Sequence, residues 1–231
     1  MYLCTMIQVE ICTPSRASAM AAKAGGAQRV ELCCSLEVGG LTPSDDDIDY
    51  CVRTLGLRTH VLVRPRAGDF CYNEAEVEEI ERTIQRCKAL GAHAVVVGFL
   101  TAEGHINTEL TRRTVQLAAP LEVTFHRAFD EARQDPIEAL RAIASCGCTR
   151  LLTSGQKPTA IEGANVIRQL VGATAVKILA GSGVTPTNVR QLVKATGVTE
   201  VHGSCKTVLP DGTIQTDAAQ VRQLIENTIR L

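Results

Sequence analysis

One phrase recurs along this chain: a helix-like stretch ends in glycine, and a run of strand-forming residues begins about three residues later. It reads AKAGGAQRVEL around Gly26, KALGAHAVVVG around Gly91, ASCGCTRLLTS around Gly147 and KATGVTEVHGS around Gly197. Glycine just past a helix end takes the left-handed conformation that stops the helix. The short gap before the next apolar run fits an αβ loop. Each repeat therefore marks a helix-to-strand junction, and a chain punctuated this way alternates helices with strands.

Helix starts are marked as well. Thr42-Pro43, Asp135-Pro136 and Thr185-Pro186 each place a capping oxygen before a proline suited to the first helical position. Asn73 precedes EAEVEEIERTIQRCKAL, whose Val77, Ile80, Ile84, Cys87 and Leu90 recur at helical spacing, and Asp217 opens a final helix. Strands are expected at about 7–12, 29–33, 60–64, 94–98, 121–126, 150–154, 175–180 and 199–203. Eight strands alternating with helices predict an α/β (β/α)8 TIM barrel, a single domain over residues 1–231. A doubly wound open sheet would use fewer strands, and no Gly-rich dinucleotide fingerprint follows strand one.

Composition agrees. Hydrophobic residues make up 45% but aromatics only 3%, so the core is built from Val, Ile, Leu and Ala, as in buried parallel strands. The net charge of −1, from 24 basic and 25 acidic residues, offers no excess for nucleic acid or an anionic membrane surface. No run approaches the ~20 apolar residues of a membrane span, and the N-terminal MYLCTMIQVEIC lacks a signal-peptide pattern. Ten cysteines at irregular spacing, with no CxxC pair, are expected to be reduced thiols of a cytoplasmic protein, most of them small buried hydrophobes.

Ionisable residues close several of the apolar runs: Glu10, Glu31, Arg64, His126 and His202. Strand alternation sets Val9, Ile11, Val30 and Leu32 on one face and Glu10, Cys12, Glu31 and Cys33 on the other. The apolar faces suit the helix layer, so the polar faces line the barrel and converge at its carboxyl end. If strands one and two are neighbours, Glu10 and Glu31 stand roughly 5–7 Å apart, able to hold a metal or to split acid and base roles. The plain alternative is an interior pair neutralised by Arg64. Arg64 and Arg66 in RPRAGDF suit capture of a carboxylate or phosphate, with Asp69 orienting one of them, although they could equally clamp loops together. His126 is expected in the site as an acid, base or metal ligand, with Arg127 and Asp130 in the following loop. Gly181, Gly183 and Ser204 follow strands seven and eight, where many barrels bind phosphate through backbone N–H groups, and Ser154 after strand six could add a donor. Cys12 and Cys33 end interior faces of adjacent strands, a pairing open to a soft ion or to simple filling.

The blocks VELC…GGLTPS, RPRAGDFCY, VTFHRAFD, RLLTSGQ and EVHGS resemble the signatures of the CutC family, named for copper homeostasis, and run in the same order from Glu10 to His202. The resemblance implies a cytosolic (β/α)8 barrel linked to copper tolerance or trafficking. It implies Cu(I) ligands at Cys12 and Cys33, and a homo-oligomer. Members commonly carry RPRGGDF, where this chain has Ala67, which narrows the accessible backbone angles; from Lys206 onward the match weakens. Two functions follow as expectations. One is a copper homeostasis protein binding Cu(I). The other is a barrel enzyme of isomerase, aldolase or hydrolase type, with Glu10, Glu31, His126, Asp130 and His202 catalytic and a small anionic or phosphorylated substrate.

Overall fold

The glycines that punctuate the sequence do stop the helices. In a computed structural model, which describes residues 7–229, Gly26, Gly91, Gly147 and Gly197 all have left-handed φ, between 75° and 97°. After each, the chain enters a strand. The strands are β1 (Gln8–Thr13), β2 (Arg29–Leu32), β3 (Arg58–Leu62), β4 (Ala94–Val97), β5 (Glu122–Phe125), β6 (Arg150–Thr153), β7 (Lys177–Ala180) and β8 (Glu200–Gly203). They pair in sequence order, all parallel, and β8 closes onto β1. The helices outside are α1 (Arg16–Ala24), α2 (Asp45–Asp49), α3 (Glu74–Ala89), α4 (Thr108–Ala118), α5 (Pro136–Ser145), α6 (Ala164–Leu170), α7 (Val189–Thr196) and α8 (Ala218–Ile229). This is the (β/α)8 TIM barrel.

The helix starts hold in part. Asp135 caps α5, accepting from the backbone N–H groups of Ile137 and Glu138, and Asn73 forms a reciprocal capping box with Glu76. Thr42-Pro43 does not open a helix: the Thr42 hydroxyl bonds the backbone of Arg64 at the end of β3, and Ser44 caps α2 instead. Thr185-Pro186 also falls short. Asn188 accepts from the Thr185 N–H and donates to the Gly183 carbonyl, building a turn that delays α7 to Val189. β3 begins two residues before the expected His60. A hairpin of β9 (Lys206–Val208) and β10 (Ile214–Thr216), absent from the sequence reading, follows β8.

Alternation then sorts the side chains. Val9, Ile11, Val30, Leu32, Val61, Val123, Phe125 and Val201 are buried outside the barrel, among the residues packed with the helices. The opposite parity faces inward. Following the strand register around the barrel stacks Arg29, Ala94, Arg150 and Glu200 in one layer and Glu10, His60, Thr124 and Leu179 in the next. Glu31, Val96, Leu152 and His202 lie above them, nearer the carboxyl end. Four side chains per layer from alternate strands is the filling that barrel geometry demands. Here much of it is charged.

Candidate functional site

The lower interior is a closed ionic network. Glu200 Oε2 lies 2.5 Å from Arg29 Nη2 and 2.7 Å from Arg150 Nε. Glu10 Oε2 lies 2.8 Å from both Arg29 Nε and His60 Nδ1, and Glu10 Oε1 lies 3.0 Å from His202 Nδ1. All of these residues are buried, and buried charge is tolerable only when paired in this way. Burial alone would raise the Glu10 carboxyl, but His60, His202 and Arg29 override it and hold it well below the usual carboxylate range. Glu10 is thus the counter-ion of the interior and does not line the open cavity. Strands one and two are neighbours as expected, but the register sets Glu10 beside Arg29 and Glu31 beside Cys12, so the two carboxylates are staggered by two residues with His202 between them.

Above the network the barrel opens into a cleft of ≈880 Å³ at the carboxyl ends of the strands. Its floor holds Cys12, Glu31 and His202, with one ligating atom from each within 4.8 Å of the others. Cys33 sits beside them: its Sγ is 3.8 Å from Cys12 Sγ. Three of these groups are electrostatically displaced. Burial raises the Glu31 carboxyl, His202 pulls it back and the Glu10 charge adds to the rise, leaving it above the ordinary range. Burial opposes the His202 cation, yet Glu31, Cys12 and Glu10 outweigh it and push His202 well up. The contact with Cys33 and burial push the Cys12 thiol well up. One carboxyl is thus held well below the ordinary range beneath the floor, while the other is raised above it.

The walls come from the loops. His126 Nδ1 accepts from the Ala128 N–H, so the neutral ring carries its proton on Nε2, and that buried atom has no partner among the described residues. Burial and the nearby Arg64 charge lower His126 to about 3. A Cβ at Gly98 would fall 2.3 Å from His126 Nδ1, so only glycine leaves room for the ring. Arg64 lines the cleft, but its guanidinium donates to the carbonyls of Val38, Gly40 and Gly68. It clamps the loops after β2 and β3, the plainer of the readings its sequence allowed. Arg127 and Asp130 also line the cleft. Asp130 binds Arg127, Thr153 and the N–H groups of Ser154 and Gln156, tying two loops together.

Four expected anion-binding residues are not among those lining the cleft. Arg66 and Asp69 pair with each other on the rim, and Arg66 also binds Glu76. Ser154 is buried, its hydroxyl within hydrogen-bond distance of both Asp130 Oδ2 and the Lys157 carbonyl and able to donate to one of them at a time. A Cβ at Gly181 would lie 2.5 Å from Leu152 and 3.2 Å from His202, so this glycine makes space for the floor. Gly183 and Ser204 do line the cleft. The sequence reading passed over Phe70, Lys157 and Lys206 in the walls, and Arg29, His60, Arg150 and Glu200 beneath. Interior parity was the signal for the second group.

A sequence profile described as the CutC family matches residues 7–207. The chain belongs to the CutC family. It is 43% identical over 204 residues to a CutC protein of Parabacteroides distasonis, covering 87% of this chain and 84% of that one. It is 39% identical over 206 residues to the copper homeostasis protein cutC homolog of Mus musculus, covering 88% and 75%. The crystal structure of CutC from Streptococcus agalactiae superimposes with a TM-score of 0.82 at 33% identity, covering 86% of this chain and 99% of that one. Within the family's RPRGGDF block, Ala67 is not among the residues with left-handed φ, whereas Gly68 is, at 92°. The narrower range of angles open to an alanine is therefore sufficient at this position. Of the ten cysteines, seven of the nine described are buried, and Cys4 lies outside the described residues. Among the described residues, no helix is long and apolar enough to cross a membrane.

Proposed function

We propose that this chain serves copper homeostasis in the cytosol by binding Cu(I) on the thiolates of Cys12 and Cys33. The observation that carries this reading is the 3.8 Å separation of two buried sulfurs, one of which, on Cys12, lines the floor of an open cleft. With metal–sulfur bonds of about 2.3 Å, both can reach one ion. A sulfur pair with an imidazole nearby is a soft donor set that suits Cu(I) better than Mg²⁺ or Ca²⁺. The name carried by the Mus musculus relative supports the copper homeostasis part of this reading. The test is a titration of fully reduced protein against a competing Cu(I) chelator. We expect one tight site, lost in the Cys12→Ser/Cys33→Ser variant; equal affinity in both proteins would refute the assignment.

A second reading is favoured by a different observation: the cleft is far larger than an ion requires and falls in the range of metabolite pockets. In that reading Glu31 and His202 move protons on a small anionic substrate while Glu10 holds His202 charged. Loss of turnover in Glu31→Gln with ligand binding retained would support it. Assembly into a homo-oligomer belongs to this proposal and is read by sedimentation.

A further inference from the structure

One wall of the cleft differs from the rest. It is made by the loops after β6, β7 and β8, and it carries Lys157 and Lys206, both exposed and neither in an ion pair among the described residues. Between them run the backbone N–H groups of Gly183, Val184 and Ser204, which donate to no acceptor among the described residues. The loops are tied to one another: Ser182 donates its hydroxyl to the Pro158 carbonyl and accepts the Ala160 N–H. Ser182 and Gly183 both have left-handed φ, 78° and 69°, which bends the chain sharply at the cleft edge. Backbone donors beside two unpaired ammonium groups make a site for a compact polyanion. Elsewhere in the same cleft, the buried Nε2–H of His126 lacks an acceptor among the described residues.

We propose that the cleft binds a small phosphomonoester, its phosphate held by Lys157, Lys206 and the N–H groups of Gly183, Val184 and Ser204, and a polar oxygen at its other end accepting from His126 Nε2. This rests on the second reading above and names its substrate class. Arg66 is paired with Glu76, and Arg64 donates its terminal nitrogens to backbone carbonyls that fix it in place. Lys157 and Lys206 carry the exposed positive charge of this wall, in no ion pair among the described residues.

The test is calorimetric titration of the full chain with inorganic phosphate and with glycerol phosphate, in a Cu(I) chelator so that copper plays no part. We expect both probes to bind, glycerol phosphate more tightly. Lys157→Ala/Lys206→Ala, two exposed changes that leave the fold intact, should weaken both by tenfold or more. His126→Phe should weaken glycerol phosphate and leave inorganic phosphate unchanged. No binding of either probe at millimolar concentration, or equal binding by the double-lysine variant, overturns the proposal. Because no copper is present, neither outcome bears on the Cys12–Cys33 assignment. A Glu31→Gln enzyme inactive yet still binding phosphate would separate the subsite from the acid/base chemistry.

Discussion

Glu10 is the residue on which the interior charge balance turns. It is fully buried and touches Arg29, His60 and His202. Glu10→Gln keeps the shape but leaves buried cations without their counter-ion, so we expect a loss of about 3–5 kcal/mol, measured by urea unfolding. His126 sets a pH dependence of stability. Its folded value of about 3 lies below the ordinary 6.5, so between those values the unfolded chain binds a proton that the folded chain refuses. Its stabilisation is complete above pH 6.5 and is lost as pH falls toward 3, at up to about 1.4 kcal/mol per pH unit. Unfolding titrations should show the native chain losing stability more steeply than His126→Phe as pH falls through that window; equal slopes would contradict the assignment. Neither effect could be sized from sequence. His126 announces itself by closing a strand, but its tautomer depends on the Ala128 N–H, and Glu10's partners come from three other strands.

At the scale of elements, the sequence was most legible where local chemistry decides the outcome. Glycine stops, Asp135-Pro136 and the Asn73 cap act within one turn of chain, and the structure keeps them. It was least legible where tertiary partners compete for the same group. Thr42 has the residue type for a cap, but a strand end recruits its hydroxyl. The β9–β10 hairpin is short and mostly exposed, so it carries little periodic signal. Two changes test these elements. Asn73→Ala removes the side-chain acceptor of the α3 capping box and should cost about 1 kcal/mol in urea unfolding. Gly163→Ala would set a Cβ 1.9 Å from the Ser154 carbonyl oxygen, forcing the loop after β6 to move. We expect it to weaken ligand binding at the cleft more than Asn73→Ala does, though Gly163 does not line the cleft.

For the whole molecule, the barrel and its carboxyl-end cleft were readable from eight expected strands alternating with helices, because parallel strands with helices between them share one face. Which ionisable residues reach the cleft was readable only in part, because shear and loop bonding decide the rest. Glu31, Arg64, His126, Asp130, Arg127, His202, Gly183, Ser204 and Cys12 line it, while Glu10 sits below and Arg66 stays on the rim. The copper reading carries a pH signature. Cys12 holds its proton more firmly than an ordinary thiol, so binding must displace it, and apparent Cu(I) affinity should rise about tenfold per pH unit for each proton released. The most direct test is X-ray absorption at the copper edge of reduced protein loaded with one equivalent of Cu(I). We expect two sulfur scatterers in the native chain and none in Cys12→Ser/Cys33→Ser. A first shell of nitrogen and oxygen alone in the native chain would contradict the account.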